Sequence, residues 1–206
     1  MKLIGEGGSS KVYRVINESN DVLALKCVKL STDPSNQIHN EDFLNEVSLL
    51  KSLRGTPGII ELIDSELNKT DNMLHIVPFL PLPHSQLLEC GETDLKSYLA
   101  RSRETNESLD MNFIRLVWQQ MLTAVNAIHN KHIIHSDLKP GNFLFVKGQL
   151  KLIDFGIAKS MPPEATSVLR DSLMGTLSYI SPEVLLETGK PGDHGVRVGN
   201  SELNGA

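Results

Sequence analysis

Polar side chains with an ordered spacing stand out in one stretch in the middle of the chain. His135 and Asp137 are followed by Lys139 and then by Asn142, and a short apolar stretch separates this group from Asp154 in an Asp-Phe-Gly sequence. Phosphoryl transfer uses such a set, because one carboxylate orients the attacking hydroxyl while an amide and a second carboxylate hold Mg²⁺. The ordered combination is far more specific than Asp-Phe-Gly alone, and it predicts a phosphoryl-transfer site.

A glycine-rich turn lies near the start of the chain, from Gly5 to Val12. A dinucleotide fingerprint or a Walker loop would need a helix directly after it. Instead, the apolar residues of 12–15 and 22–28 flank a polar turn, which predicts strand, turn and strand. A glycine loop folded over phosphates between two strands fits this pattern, and a plain hairpin tip is the alternative.

Lys26 lies in a strand that is otherwise apolar, and an unpaired buried ammonium group is unfavourable. The lysine therefore needs an anion, either a phosphate or a carboxylate from a helix. A helix is predicted from Glu41 to Leu53, because apolar residues recur there at helical spacing. Glu46 lies among those apolar positions and is the candidate partner, with a solvated surface glutamate as the alternative.

Composition narrows the class of protein. The chain has 206 residues, of which 40% are hydrophobic and 22% charged, as in ordinary globular proteins. The net charge of −5 gives no global reason to expect nucleic-acid binding. Cys27 and Cys90 are too few for a disulfide framework and suit a reducing compartment. No apolar run is long enough for a membrane span, and no signal-peptide pattern is present.

The remaining elements are predicted from periodicity and turn residues. Two more strands are expected at 59–64 and 73–77, and a short helix is expected after Thr93 as its cap. The stretch from Pro78 to Leu88 holds three prolines in its first six residues and is predicted to be an exposed loop. The segment 188–206, which is rich in glycine and lacks apolar periodicity, is predicted to be a disordered tail.

A longer helix is predicted from Asn112 to His129. Its apolar stripe, expected to face the core, consists of Ile114, Val117, Trp118, Met121, Val125 and Ile128. The spacing of His129, His132 and His135 invites a zinc interpretation, but neither a cysteine nor a carboxylate cluster with ligand spacing accompanies them.

These motifs, taken in order, resemble a protein kinase catalytic domain and are similar to the monopolar-spindle (TTK) family of dual-specificity kinases. The resemblance covers roughly Lys2 to Leu186, except for the proline-rich segment. It rests on the glycine loop, Glu89-Cys90-Gly91, the catalytic stretch His135-Ser136-Asp137-Leu138-Lys139-Pro140, the Asp-Phe-Gly sequence, Thr166-Ser167-Val168 and Gly175-Thr176. Ser136, where most kinases have arginine, is a mark of this family.

The resemblance implies an α+β, bilobal kinase fold with a β-rich N-lobe (1–88), which includes a proline-rich insertion at 78–88. A hinge and an incomplete helical C-lobe (89–187) follow. No stretch like the family's large helical region follows Ser181-Pro182-Glu183, so the chain is interpreted as a truncated or alternatively spliced kinase domain.

The resemblance also implies roles for single residues. Asp137 would be the catalytic base, Lys139 would steady the transferred phosphoryl group, and Asn142 and Asp154 would hold Mg²⁺. Leu88 would be the gatekeeper. The ATP-binding residues would be Ile4, Gly5, Gly7, Gly8, Ser9, Ser10, Val12, Ala24, Lys26, Glu46, Glu89, Cys90, Gly91 and Leu144.

The function implied is transfer of the ATP γ-phosphate to serine, threonine and sometimes tyrosine of checkpoint proteins at kinetochores, in the nucleus and cytoplasm. Thr166 and Thr176 align with activation-segment threonines, so self-association for autophosphorylation is expected. Neither nucleic acid nor membrane is an expected partner. An inactive fragment that binds nucleotide or a partner is the alternative.

Overall fold

A computed structural model describes residues 1–7, 10–28, 37–67, 84–160, 167–168, 176–179 and 198–199. The strands of the upper part are β1 (Lys2–Gly7), β2 (Ser10–Ile16), β3 (Val22–Val28), β4 (Leu62–Leu67) and β5 (His84–Glu89). The later strands are β6 (Thr93–Asp94), β7 (Ile133–Ile134), β8 (Phe143–Val146), β9 (Gln149–Leu152), β10 (Lys159–Ser160), β11 (Ser167–Val168) and β12 (Val198–Gly199). The helices are α1 (Gln37–Ser52), α2 (Leu95–Glu104) and α3 (Met111–His129), with single 3₁₀ turns at Pro140–Asn142 and Leu177–Tyr179.

The upper part is a five-stranded antiparallel sheet in the order β1-β2-β3-β5-β4. The predicted exposed loop from Pro78 to Leu88 is wrong for its last five residues, because His84 begins β5, which lies between β3 and β4. All three prolines precede His84, so each residue of the strand keeps the N–H group that central pairing needs. Residues 78–83, and the strand predicted at 73–77, lie outside the described residues.

Helix α1 joins the two parts of the chain through its apolar face. Phe43 and Val47 pack with Val28 of the sheet. Leu50, one turn further along, belongs to a larger cluster that extends into the lower part. The buried members of that cluster include Leu49, Leu53, Ile59, Leu62, Leu150, Leu152 and Phe155. Two apolar clusters on one face of the helix therefore hold it, and with it Glu46, between the sheet and the lower part.

The lower part is built on α3 and the three-stranded sheet β6-β8-β9. The close approach of α3 needs a glycine at position 58, where φ is +76° and an added Cβ would lie 3.1 Å from the Ala124 Cβ. The predicted apolar stripe is wrong in part, since Ile114 and Trp118 are 41% and 60% exposed. The buried residues of α3 are Val117, Ala124 and Ile128. No described element covers the face that carries Trp118.

Two smaller expectations also need correction. The cap of α2 is Asp94 rather than Thr93, and its Oδ1 accepts a 2.9 Å hydrogen bond from the Ser97 amide. Within the segment predicted to be a disordered tail, Val198–Gly199 forms a two-residue strand that pairs with Ser167–Val168. Among the described residues, no helix combines the length and apolar character that a membrane span requires.

Gln86 is an anomaly in the middle of the sheet. It is fully buried on β5, yet neither its amide nitrogen nor its amide oxygen has a hydrogen-bond partner among the described residues. A buried polar group without a partner costs about 1–3 kcal/mol. Gln86→Met should therefore raise the free energy of unfolding by a similar amount in urea titrations. Gln149→Met, at an exposed position of β9, is the matched control, and equal effects of the two substitutions would contradict this prediction.

Candidate active site

A cavity of about 490 Å³ opens between the upper sheet and the lower part, a size that suits a small-molecule ligand. Most of the predicted ATP-binding residues line it, namely Ile4, Gly5, Ser10, Val12, Ala24, Lys26, Glu46, Glu89, Gly91 and Leu144. The candidate metal ligand Asp154 and the predicted gatekeeper Leu88 line it as well. Residues more than a hundred positions apart in the chain thus meet around one space. Their roles toward a nucleotide remain predictions.

A close ion pair forms between Lys26 on β3 and Glu46 on α1. The Lys26 Nζ lies 2.7 Å and 2.8 Å from the two carboxylate oxygens of Glu46. Glu46 is only 4% exposed, so the alternative of a solvated surface glutamate is wrong. The same ammonium group lies 4.0 Å from the Asp154 Oδ1, which links the helix through the lysine to the Asp-Phe-Gly sequence.

The predicted hinge residues begin with Glu89, the last residue of β5, and continue with Cys90 and Gly91. Glu89 and Gly91 line the cavity. The Glu89 carboxylate forms an ion pair with Lys151 of β9 and accepts a 2.8 Å hydrogen bond from the Glu61 amide. The Glu89 amide also donates to the Glu61 carbonyl over 3.1 Å, so both its side chain and its N–H group are engaged in structure. Only glycine fits at position 91, because an added Cβ would lie 2.4 Å from the Leu144 Cγ.

The catalytic loop brings Asp137 and Lys139 into contact with Thr176. The Thr176 hydroxyl donates to Asp137 Oδ1 over 2.8 Å and accepts from the Lys139 Nζ over 2.9 Å. The lysine also lies 2.5 Å from Asp137 Oδ2. Burial is the largest influence on the pKa of Asp137 and raises it, but the hydrogen bonds and charge of Lys139 and the bonds from Thr176 together hold the pKa below its usual value. The carboxylate is thus ionised at neutral pH.

Asn142 and Asp154 provide the oxygen donors that Mg²⁺ prefers. The Asn142 amide nitrogen donates to the Asp137 carbonyl over 2.8 Å, and the described residues form no hydrogen bond to its side-chain oxygen. The Asp154 carboxylate is half exposed, and its backbone has a φ of +64°, which is uncommon outside glycine. Ser136 also has a positive φ, of +72°. Strained backbone on both loops is typical of functional sites, and this donor set fits a divalent cation.

His135 is a structural member of this loop. It is 1% exposed, its Nε2 donates to the Ile153 carbonyl over 3.0 Å, and its Nδ1 accepts a 3.3 Å hydrogen bond from the Asp137 amide. These two bonds need a neutral ring with the proton on Nε2. Burial lowers the pKa of His135, and the Ile153 carbonyl and nearby carboxylates offset this only in part. The neutral ring therefore connects the catalytic loop to Ile153, the residue before Asp154, through these two hydrogen bonds.

The zinc interpretation finds no site among the described residues. Within them, no three His, Cys, Asp or Glu side chains are grouped to hold a metal ion.

The lowered pKa of His135 predicts acid sensitivity of the fold. In the unfolded chain the pKa of His135 is about 6.5, and in the folded chain it is lower. As the pH falls below about 6.5, protons therefore bind to the unfolded chain more readily than to the folded chain. The contribution of His135 to the free energy of unfolding is present above that pH and is lost as the pH falls. Burial lowers the pKa of His129 as well and acts in the same direction. The free energy of unfolding should drop between pH 7.5 and 5.5, and His135→Asn should flatten this dependence. The exposed His132 is the control, and a His132→Asn variant that flattened the curve equally would contradict the assignment.

Some predicted site residues are not brought to the cavity. Gly8, Ser9 and Thr166 lie outside the described residues. Of the described site residues, Gly7, Cys90, Asp137, Lys139 and Asn142 do not line the cavity. Several lining residues were missed by sequence reasoning, namely Arg14, Leu50, Ile60, Glu92, Thr93, Asp94, Gly141 and Ile153. Arg14 could have been found from strand alternation with Val12, and Leu50 lies one helical turn after Glu46. The others depend on how the two parts meet.

Comparison with known proteins matches residues 1–197 to a family model described as "Protein kinase domain". The Dictyostelium discoideum protein "Probable serine/threonine-protein kinase mps1" is 47% identical over 193 residues, which are 93% of this chain and 18% of that protein. The Schizosaccharomyces pombe protein "Serine/threonine-protein kinase mph1" is 42% identical over 95% of this chain and 27% of its own length. The Danio rerio protein "Dual specificity protein kinase Ttk" is 43% identical over 93% of this chain and 18% of its own length. The chain thus spans about a fifth to a quarter of the length of these relatives.

Proposed function

Because the chain belongs to the protein kinase domain family, we propose that it transfers the γ-phosphate of ATP to hydroxyl groups of protein substrates. The α+β kinase fold and the resemblance to the monopolar-spindle kinases, both predicted from sequence, are confirmed by this match. The activity is proposed for the chain itself, which covers only part of its relatives' length.

One contact in the catalytic loop carries this proposal. The Thr176 hydroxyl lies between the Asp137 carboxylate and the Lys139 ammonium group, at 2.8 Å and 2.9 Å. It demonstrates that an aliphatic hydroxyl fits there with its proton directed at a carboxylate, which is the arrangement a base needs for proton transfer. A serine or threonine hydroxyl of a substrate would replace that of Thr176 at Asp137.

The other residues of the site would then bind the nucleotide and position its phosphates. The apolar side chains of Val12, Ala24 and Leu144 would enclose the adenine ring, and Lys26, held in place by Glu46, would contact phosphate oxygens. Asp137 would accept the substrate proton, and Lys139 would remain close to the phosphoryl group. Positioning and electrostatic stabilisation account for most of the catalysis in phosphoryl transfer.

We further propose that the divalent cation is Mg²⁺ and that the Asn142 and Asp154 oxygens hold it. When bound, the cation offsets the negative charge of the phosphates. Asp154→Asn removes the charge-assisted part of this interaction and should reduce the Mg²⁺-dependent gain in ATP affinity about 10-fold or more. Calorimetry of ATP binding with and without Mg²⁺ measures this gain, and an equal gain in both proteins would refute the role of Asp154. Asp64→Asn, on the exposed side of β4, is the control.

The activity itself is tested with the purified chain, Mg-ATP and a generic basic protein. Phosphate incorporation that disappears in Asp137→Asn would support the proposal. Binding of Mg-ATP with no incorporation by the parent chain would overturn it and leave a nucleotide-binding module.

Similarity to proteins named Mps1, Mph1 and TTK supports a narrower proposal about substrates and setting. Serine, threonine and sometimes tyrosine of checkpoint proteins would be the acceptors, at kinetochores, in the nucleus and in the cytoplasm. A second copy of the chain would phosphorylate Thr166 and Thr176. Mass spectrometry of the chain after incubation with Mg-ATP tests the last point, and the absence of phosphate on both threonines in an active preparation would refute it.

A further inference from the structure

Asn45 connects α1 to the segment that follows Asp154. Its side-chain amide donates a 2.6 Å hydrogen bond to the Ala158 carbonyl, a residue 113 positions away in the chain. Ala158 is 1% exposed and its own amide donates to the Phe155 carbonyl over 3.0 Å, so the accepting carbonyl belongs to a well-packed turn. Phe155 in turn is fully buried and packs edge-on against His135 at 5.1 Å between ring centroids. The amide of Asn45 thus contacts the catalytic core from outside the cavity.

The neighbouring residue on the helix, Glu46, reaches the other end of the same segment. Glu46 pairs with Lys26, whose ammonium group lies 4.0 Å from the Asp154 carboxylate. Two consecutive residues of α1 are therefore linked to both ends of the five-residue segment 154–158, one directly and one through Lys26. These contacts connect α1 to both Asp154 and Ala158, the Ala158 contact being the shorter, at 2.6 Å against 4.0 Å.

We propose that Asn45 is a positioning residue, which holds the segment from Asp154 to Ala158 against α1 and so fixes the Asp154 carboxylate relative to Lys26. Asn45 does not line the cavity and its amide is bonded to the Ala158 carbonyl, so it acts through the segment. The inference rests on the proposed kinase function for its effect on rate. Its structural part stands independently of that function.

A second contact of α1 offers a matched control. The Lys131 Nζ donates a 2.7 Å hydrogen bond to the carbonyl of Ser52, the last residue of the helix. This bond also joins α1 to the lower part through a side-chain nitrogen and a backbone oxygen, but it lies at the far end of the helix from Asn45. Removing it loosens the attachment of α1 without touching the segment 154–158.

The experiment compares four variants of the full chain: Asn45→Ala, Asn45→Asp, Asn45→Gln and Lys131→Met. Asn45→Ala removes one hydrogen bond, which corresponds to about a 2- to 10-fold change in an equilibrium or a rate. Asn45→Asp is nearly isosteric but places a carboxylate oxygen against the Ala158 carbonyl, so it should have the larger effect. Asn45→Gln keeps an amide donor and should recover part of the loss.

Hydrogen exchange followed by mass spectrometry provides the first measurement. Amides of 153–160 should exchange about 2- to 10-fold faster in Asn45→Ala, and faster still in Asn45→Asp, with β3 unchanged. In Lys131→Met the same amides should exchange as in the parent. Equal loosening of β3 and 153–160, or no change in Asn45→Asp, would overturn the proposal.

Kinetics provide the second measurement. The Asn45 variants should lower kcat/KM for Mg-ATP by about 2- to 10-fold and raise the Mg²⁺ concentration that gives half the maximal rate, because Asp154, the proposed Mg²⁺ ligand, lines the cavity. An unchanged Mg²⁺ dependence in these variants would contradict a positioning role. If the parent chain shows no turnover at all, the proposed function fails, and hydrogen exchange alone still decides the role of Asn45.

Discussion

Replacing Asp137 by asparagine should lower kcat by about 10²- to 10⁴-fold, the range that a positioned proton acceptor contributes. The substitution keeps the shape of the side chain and an oxygen that can accept from Thr176, so folding should be unaffected. What disappears is the carboxylate, whose pKa is held below its usual value by Lys139 and Thr176 despite the opposing effect of burial. Initial rates of phosphate transfer at saturating ATP measure the effect.

The matched control is Asp110→Asn, because Asp110 is exposed at the start of α3 and its side chain makes no cap hydrogen bond. Its kcat should equal that of the parent. An Asp137→Asn variant with a kcat within a few-fold of the parent value would show that Asp137 is not the base.

The second large effect is expected from Lys26→Met. Glu46 is 4% exposed, and its carboxylate would then be buried without the cation that now lies 2.7 Å away. Removing one partner of a buried ion pair costs about 3–5 kcal/mol, a large part of a total stability of about 5–15 kcal/mol. Phosphate transfer should fall with it, because the cation that would contact the phosphates is gone. Urea unfolding and initial rates measure the two losses separately.

A double variant separates stability from chemistry. Lys26→Met combined with Glu46→Met replaces the pair by apolar side chains of similar length, a change that is often neutral for stability. The double variant should therefore recover most of the unfolding free energy and none of the phosphate transfer. Recovery of both would mean that the lysine is a purely structural residue, and recovery of neither would mean that the pair is not the source of the instability.

Local patterns in the sequence predict many of the helices and strands of this structure. The observed bounds of α3 agree with the predicted ones to within one residue, and those of β3 agree fully. Both predictions succeed because apolar periodicity and turn residues reflect interactions within a few positions of the chain. The pairing of Lys26 with Glu46 also follows from local reasoning, since a lysine in an apolar strand needs an anion and a nearby amphipathic helix offers one. The catalytic set is recognisable because its spacing lies within two adjacent loops.

Strand β5 is the main error, and its cause is physical. Proline strongly disfavours a central strand, but only at its own position, and the pattern from His84 onward is short and contains polar residues. Its place between β3 and β4 results from pairing with strands that are distant in the sequence. The Gln86 amide, which has no hydrogen-bond partner among the described residues, is a consequence of this placement, since the sheet buries whatever residue occupies that position of the strand.

The amino-acid sequence thus determines the chemistry available to this chain, because the residue types and their short-range order are those of phosphoryl transfer. Tertiary structure alone decides which groups meet: Thr176 at Asp137, Asn45 at Ala158 and Lys151 at Glu89 are joined across 39, 113 and 62 positions. None of these three contacts can be predicted from periodicity or local sequence patterns, because each joins segments that are distant in the chain and meet only in the folded structure. Likewise, the exposure of Trp118 depends on what packs against α3, which helical periodicity does not encode.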